Sequence, residues 1–182
     1  MDIYDIAIEE YEQEDDNGKH KLIYSYFGLS IYFAQCLEET FSNMIILHRI
    51  VNKKIKTNKE VNEIIDAIEN SKKTMGNFIH EVNQVYKLTE VLKNNLIESL
   101  NTRNYIVHKY FKLHIEKFSS EIGKQEMLKY FCNFITSVQQ IKKEMESYYQ
   151  SYMQKLNMTD ELLNNIMHEM KETEVKRDQK HR

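Results

Sequence analysis

The chain of 182 residues contains no proline and only four glycines, and this scarcity limits the available folds more than any other feature. Tight turns, hairpins and phosphate-cradling loops draw on glycine for positive φ and on proline for a preset φ. All-β folds, dinucleotide-binding units and P-loops are therefore excluded, and neither a G-x-G nor a G-K-[ST] occurs. An all-α domain remains. The length is that of one domain, and a hydrophobic fraction of 41% against 29% charged fills one core beneath a polar surface.

Acidic residues outnumber basic ones by 28 to 25, so no global basic field is available to grip nucleic acid, and any such contact must be local. The opening MDIYDIAIEEYEQEDD is acidic where a secretion signal would be basic and then apolar. No apolar run approaches the ~20 residues that span a bilayer. A soluble, cytoplasmic protein without membrane contact is expected. Cys36 and Cys132 belong to no C-x-x-C pair and fall within apolar helical patterns, which predicts buried thiols in a reducing compartment.

The hydrophobic spacing divides the chain into an acidic N-terminal segment (1–21), a single helical domain (22–170) and a charged, flexible tail (171–182). A long first core helix is predicted over 22–51, where Phe27, Ile31, Ala34, Leu37, Phe41, Met44 and Ile45 recur at three and four. Thr57 and Glu60 form a capping box before a helix carrying Val61, Ile64, Ile65 and Ile68. A short helix follows within 71–88, where Gly76 marks a turn or a close helix crossing. Further helices are predicted over 89–113, from the cap at Ser119 and Ser120 to about 156, and after Thr159 through Leu162, Leu163, Ile166 and Met167. The expected architecture is a bundle of about five main helices with short connections.

Polar residues interrupt one stripe. Leu96, Leu100, Val107 and Phe111 lack their middle step, and Arg103 and Asn104 stand there instead. A guanidinium in an apolar seam must meet a carboxylate, a carbonyl or a bound anion. Asn104 and His108 are four apart and share a face, whereas Arg103 and His108 are five apart, roughly 140° around a regular helix. Two readings follow from these residue types. In one, Arg103 pairs with an acid of a neighbouring helix and His108 is a satisfied bundle histidine. In the other, His108 moves a proton while Arg103 neutralises an anionic group, which suffices to cleave RNA by attack of its own 2′-hydroxyl without a metal. Lys109, Lys112, His114 and Lys117 flank the motif, and Lys53, Lys54 and Lys56 offer a second basic edge; such lysines serve either RNA or a solvated surface.

The run Arg103-Asn104-x-x-x-His108, late in a helix, resembles the R-x4-6-H motif of the HEPN superfamily, in which a polar residue, often Asn, follows the Arg. Arg103-x4-His108-x-Tyr110 is similar to the R-x4-H-x-Y form of HEPN toxins paired with a minimal nucleotidyltransferase antitoxin. With the first core helix around Ala34, Gln35, Leu37 and Glu38, the Met75-Gly76 step and the helix after Ser119, the resemblance covers roughly residues 22 to 156. It implies a HEPN-like fold and a homodimer in which two copies of Arg103 and His108 line one composite cleft. It also implies a metal-independent endoribonuclease of toxin or phage-defence type, acting on tRNA or another RNA, with an antitoxin or regulatory protein as a further partner. By the same resemblance His108 is the general acid or base, Arg103 holds the scissile phosphate, and Asn104 positions the 2′-hydroxyl or the histidine. Tyr110 becomes a candidate modification site, or else the aromatic of a packing pair with Phe111.

No cofactor or metal is implied. E-x-x-H does not occur, and His80-Glu81 and His168-Glu169 lack the second histidine of H-E-x-x-H. The alternative function is a non-catalytic helical bundle that binds a partner protein or an RNA.

Overall fold

The structure, a computed structural model, describes residues 2–53, 55 and 57–180. No strand occurs among them. The helices are α1 (Ile3–Gln13), α2 (Asp16–Lys53), α3 (Asn58–Glu69), α4 (Met75–Tyr86) and α5 (Glu90–Tyr105). A π-turn over Ile106–Tyr110 leads into the short α6 (Phe111–His114) and a 3-10 turn (Ile115–Ser119), and α7 (Glu121–Lys155) and α8 (Asp160–Lys180) complete the chain.

Short polar side chains set the helix starts, at Thr57 and Ser120 as the sequence predicts. Thr57 and Glu60 cap α3 reciprocally, Thr74 and Asn77 do the same for α4, and the Thr89 hydroxyl accepts from the Leu92 amide at α5. Ser120 Oγ accepts from the Gly123 amide at 3.0 Å and starts α7. Gly123 has a second reason to lack a side chain: a Cβ there would stand 2.3 Å from the Lys117 carbonyl oxygen, so the 3-10 turn could not lie so close to α7. Gly76 marks a close crossing, since its Cβ would meet Leu100 of α5 at 3.5 Å.

The two long helices α2 and α7 lie side by side and run the same way, with Asp16 against Lys124, Phe27 against Phe131 and His48 against Tyr152. Leu37, Phe41, Ile45, Met127, Leu128, Phe131, Ile135 and Val138 are buried along them. Helix α5 runs opposite to α7, with the Thr89 amide donating to the Tyr148 hydroxyl at one end and Tyr105 packed near Tyr130 at the other.

Two boundaries differ from the sequence expectation. The acidic segment belongs to the core: α1 buries Ala7 and Tyr11, and α2 begins at Asp16 instead of Leu22. The tie is polar. Tyr11 donates to Glu121 at 2.9 Å, Lys19 meets the same carboxylate at 2.8 Å, and the buried Lys124 ammonium binds both Asp16 and Glu121. Hydrogen bonds from Lys124, Lys19 and Tyr11 hold the Glu121 carboxyl down at about 2, while burial and then Glu121 push the Tyr11 hydroxyl up to about 12. The charged tail is helical to Lys180, because its charges fall at helical spacing: Glu172 meets Lys176 and Glu174 meets Arg177, both at 3.4 Å. Leu162, Ile166, Met167 and Met170 of α8 are exposed.

Of the two cysteines, Cys132 is buried as expected, and burial pushes its thiol up to about 12. Cys36 is only half-buried. Among the described residues no helix is long and apolar enough to cross a membrane.

Candidate functional site

Helix α5 buries Leu92, Leu96 and Ser99, and the stripe resumes at Ile106 and Tyr110. The spacing of four and three along that series reaches 103 between Ser99 and Ile106, so Arg103 occupies a seam position and is half-buried there. The expected polar break is present, but the stripe around it is shifted by one residue. Val107, expected to face the seam, is 37% exposed. Leu100 and Phe111 are partly buried against the core.

A sharper departure is the π-turn. Residues Ile106–Tyr110 close i to i+5 hydrogen bonds, and π-turns of this kind occur mainly as single insertions in α-helices, frequently at functional sites. The segment contains His108. Its wider turn narrows the angular separation from Arg103 that a uniform α-helix imposes on residues five apart. Composition gives no warning of it, since Ile106-Val107-His108-Lys109-Tyr110 is compatible with an ordinary helix.

The Arg103 guanidinium donates from Nη1 to Asn104 Oδ1 at 3.0 Å and, among the described residues, meets no carboxylate. Asn104 and His108 are exposed. Among the described residues His108 has no hydrogen bond, ion pair or ring contact. The reading in which Arg103 pairs with an acid of a neighbouring helix and His108 is a satisfied bundle histidine thus finds no partner among the described residues. Beneath Arg103, one turn back, the Ser99 hydroxyl is buried without a hydrogen-bond partner among the described residues.

The flanking cations separate into distinct places. Lys109 and Lys112 are exposed beside the motif without an ion pair among the described residues, whereas Lys117 is taken up by Glu126 at 2.8 Å. Lys53 closes α2 at the far end. Phe27 packs on Phe111 near the motif, and the 26 residues from Phe27 to Lys53 extend about 39 Å along a continuous helix. Within one protomer Lys53 is therefore not a basic edge of this site. Lys54 and Lys56 lie outside the described residues.

Tyr110 is placed in the core, 3% exposed, stacked on Tyr130 at 4.8 Å between ring centroids and against Phe131 at 4.8 Å. Burial, then Tyr130 and Tyr105, hold its hydroxyl well above the usual tyrosine range. As a modification site Tyr110 would need this packing to open; the packing role with Phe111, ring centroids 6.0 Å apart, is the one the geometry shows. Two features beside the motif were not legible in the sequence. The Tyr105 hydroxyl and His114 Nε2 are 2.5 Å apart, with His114 Nδ1 4.0 Å from Glu116. Tyr24 of α2 stands against Phe111 and Phe118. The first pair is nine residues apart in the chain and passes through the π-turn, and the second crosses between helices, so neither leaves a periodic trace.

Among the described residues no three of His, Cys, Asp or Glu are grouped as a metal ion requires. Comparison of the chain with family models, curated proteins and solved structures finds no match. The likeness to HEPN proteins rests on the motif and its helical setting.

Proposed function

We propose that the chain is a HEPN-type endoribonuclease that works without a metal, at a composite site made by two copies of the π-turn helix. The observation that carries this reading is Arg103: a half-buried cation on a seam, bonded among the described residues only to the neighbouring amide of Asn104, one wide turn before an exposed His108 that has no polar partner among them. A cation left without a carboxylate in such a place is suited to an anion supplied from outside. In the reaction the substrate's 2′-hydroxyl gives up its proton to one imidazole and attacks the adjacent phosphorus. The bond to the 5′-oxygen breaks, that oxygen takes a proton from the second copy's His108, and a 2′,3′-cyclic phosphate remains. Arg103 stabilises the charge gathering on the phosphoryl oxygens, and Asn104 orients the guanidinium.

The same reading makes the exposed Val107 part of a subunit contact and leaves Lys109 and Lys112 to guide the RNA backbone. A toxin or phage-defence role, with tRNA or another RNA as target and an antitoxin or regulatory protein as partner, follows from the resemblance. The test is incubation of the full chain with total RNA in EDTA, followed by end-group analysis. Products with 2′,3′-cyclic phosphate ends that disappear in His108→Ala are expected. RNA binding without cleavage would leave a non-catalytic RNA-binding bundle.

A further inference from the structure

One turn beyond His108, the surface carries aromatic rings. Tyr24 of α2 is 54% exposed, and its ring lies 5.7 Å from that of Phe111 and 5.4 Å from that of Phe118. Phe111 and Phe118 are themselves stacked at 5.8 Å with their planes 15° apart, and Phe27 backs Phe111 at 4.8 Å. Tyr24 thus has a rigid aromatic support and an open side. The space one turn further along α2 is also open, since Gly28 has nothing within 4 Å of where its Cβ would be. A side chain at i+4 leans back toward residue i, so a long side chain at 28 would extend toward Tyr24, and glycine provides none. Two cations are near in the chain: Lys21 lies three residues before Tyr24 on α2, and Lys112 directly follows Phe111; both are exposed without an ion pair among the described residues. An aromatic face flanked by unpaired cations is the combination that takes an unstacked base together with its phosphate.

We infer that Tyr24, supported by Phe111 and Phe118, is a stacking platform for one nucleobase of single-stranded RNA, with Lys21 and Lys112 on the adjoining phosphates. The inference rests on the ribonuclease reading and adds to it a base-binding site outside the motif, one that takes an unpaired base and so favours single strand over duplex. Duplex RNA keeps its bases inside the helix and presents mainly shape and backbone.

The test measures binding separately from cutting. Full-length His108→Ala protein is titrated against a short single-stranded RNA containing 2-aminopurine, and against a duplex of the same length. Quenching of the probe and tighter binding of the single strand are expected. Tyr24→Ala in that background should weaken single-strand binding roughly ten- to a hundredfold and abolish the quenching, while Tyr24→Trp preserves both. Gly28→Leu, which adds a helix-compatible side chain over the ring, should weaken binding without lowering the melting temperature. Unchanged affinity in Tyr24→Ala and Gly28→Leu overturns the platform even if the wild-type chain cleaves RNA. Loss of binding in both, with no cleavage by wild type, retains the platform and overturns the ribonuclease. A change in sedimentation mass with unchanged RNA affinity identifies the surface as a protein contact and overturns the platform.

Discussion

Arg103 and Asn104 are bonded side chain to side chain at 3.0 Å, the guanidinium donating to the amide oxygen, although both belong to consecutive residues of one helix. Consecutive residues on a helix do not ordinarily face each other. The bond draws the guanidinium sideways and leaves its remaining donors for a ligand, since a neutral amide orients the cation without cancelling its charge.

That distinction is testable with one atom pair. Asn104→Asp replaces the amide by a carboxylate of nearly the same shape and pairs Arg103 within the chain. Melting temperature should hold or rise, while RNA cleavage falls at least tenfold because the cation facing the phosphate is neutralised. Retained activity in Asn104→Asp would show that Arg103 does not act through its free charge.

Arg103→Ala should separate stability from activity in the same direction. With no carboxylate partner among the described residues, its removal strands no buried anion and relieves a half-desolvated cation, so the melting temperature is expected to stay the same or increase. Cleavage and RNA affinity should both fall. A sharp drop in melting temperature would mean that the guanidinium holds the protomer together.

His108→Ala removes an exposed ring that has no hydrogen bond, ion pair or ring contact among the described residues. Surface changes of that kind alter stability by roughly 0.5 kcal/mol or less, whereas loss of a positioned proton-transfer group lowers turnover about 10²- to 10⁴-fold. Thermal melts and single-turnover cleavage on the same preparation decide between them.

Much of the architecture was legible because its signals are local. Thr57, Thr89 and Ser120 announce helix starts through their side chains, and the long apolar series of α2 and α7 mark both as core helices, though their parallel course appears only in the structure. The polar break at Arg103 was legible for the same reason, as a missing hydrophobe. The stripe around it was read one residue off because Val107 is apolar but exposed, and the π-turn shifts the register after 106 without any unusual residue. The charge of Lys53 suggests a place beside the motif, and only the length of α2 removes it. The place of the N-terminal segment in the core leaves no local trace, because Tyr11 and Lys19 gain their partners, Glu121 foremost, from a helix more than a hundred residues away.

That last contact predicts acid sensitivity. The Glu121 carboxyl is depressed to about 2 by hydrogen bonds from Lys124, Lys19 and Tyr11, against an ordinary glutamate value of about 4.3. A depressed carboxyl contributes stability that is complete above the unfolded value and is lost as pH falls toward the folded one. Melting temperature should therefore decline between roughly pH 4.3 and 2. Glu121→Gln should melt lower at neutral pH and show a flatter acid limb, the two chains converging in acid. Parallel acid limbs would place the sensitivity at another carboxylate.

The proposed composite site requires two copies, and Val107 offers the means to separate them. It is exposed at 37%, within the π-turn and beside His108, so a glutamate there points into solvent in an isolated protomer and should leave its melting temperature within a few degrees. In a dimer built on this face, two copies of the substitution would confront each other and lower the affinity of association. Wild-type chain should sediment as a dimer at micromolar concentration and Val107→Glu as a monomer, with cleavage lost alongside the second copy. Mixing Val107→Glu with excess His108→Ala chain then asks whether one intact histidine is enough, since a heterodimer carries only one compromised contact surface. Restored cleavage would assign a single proton-transfer residue to the reaction, and continued inactivity with dimer formed would require both. A wild-type chain that stays monomeric at every concentration, yet cleaves RNA, would place the whole reaction within one protomer and remove the need for a second copy of Arg103 and His108.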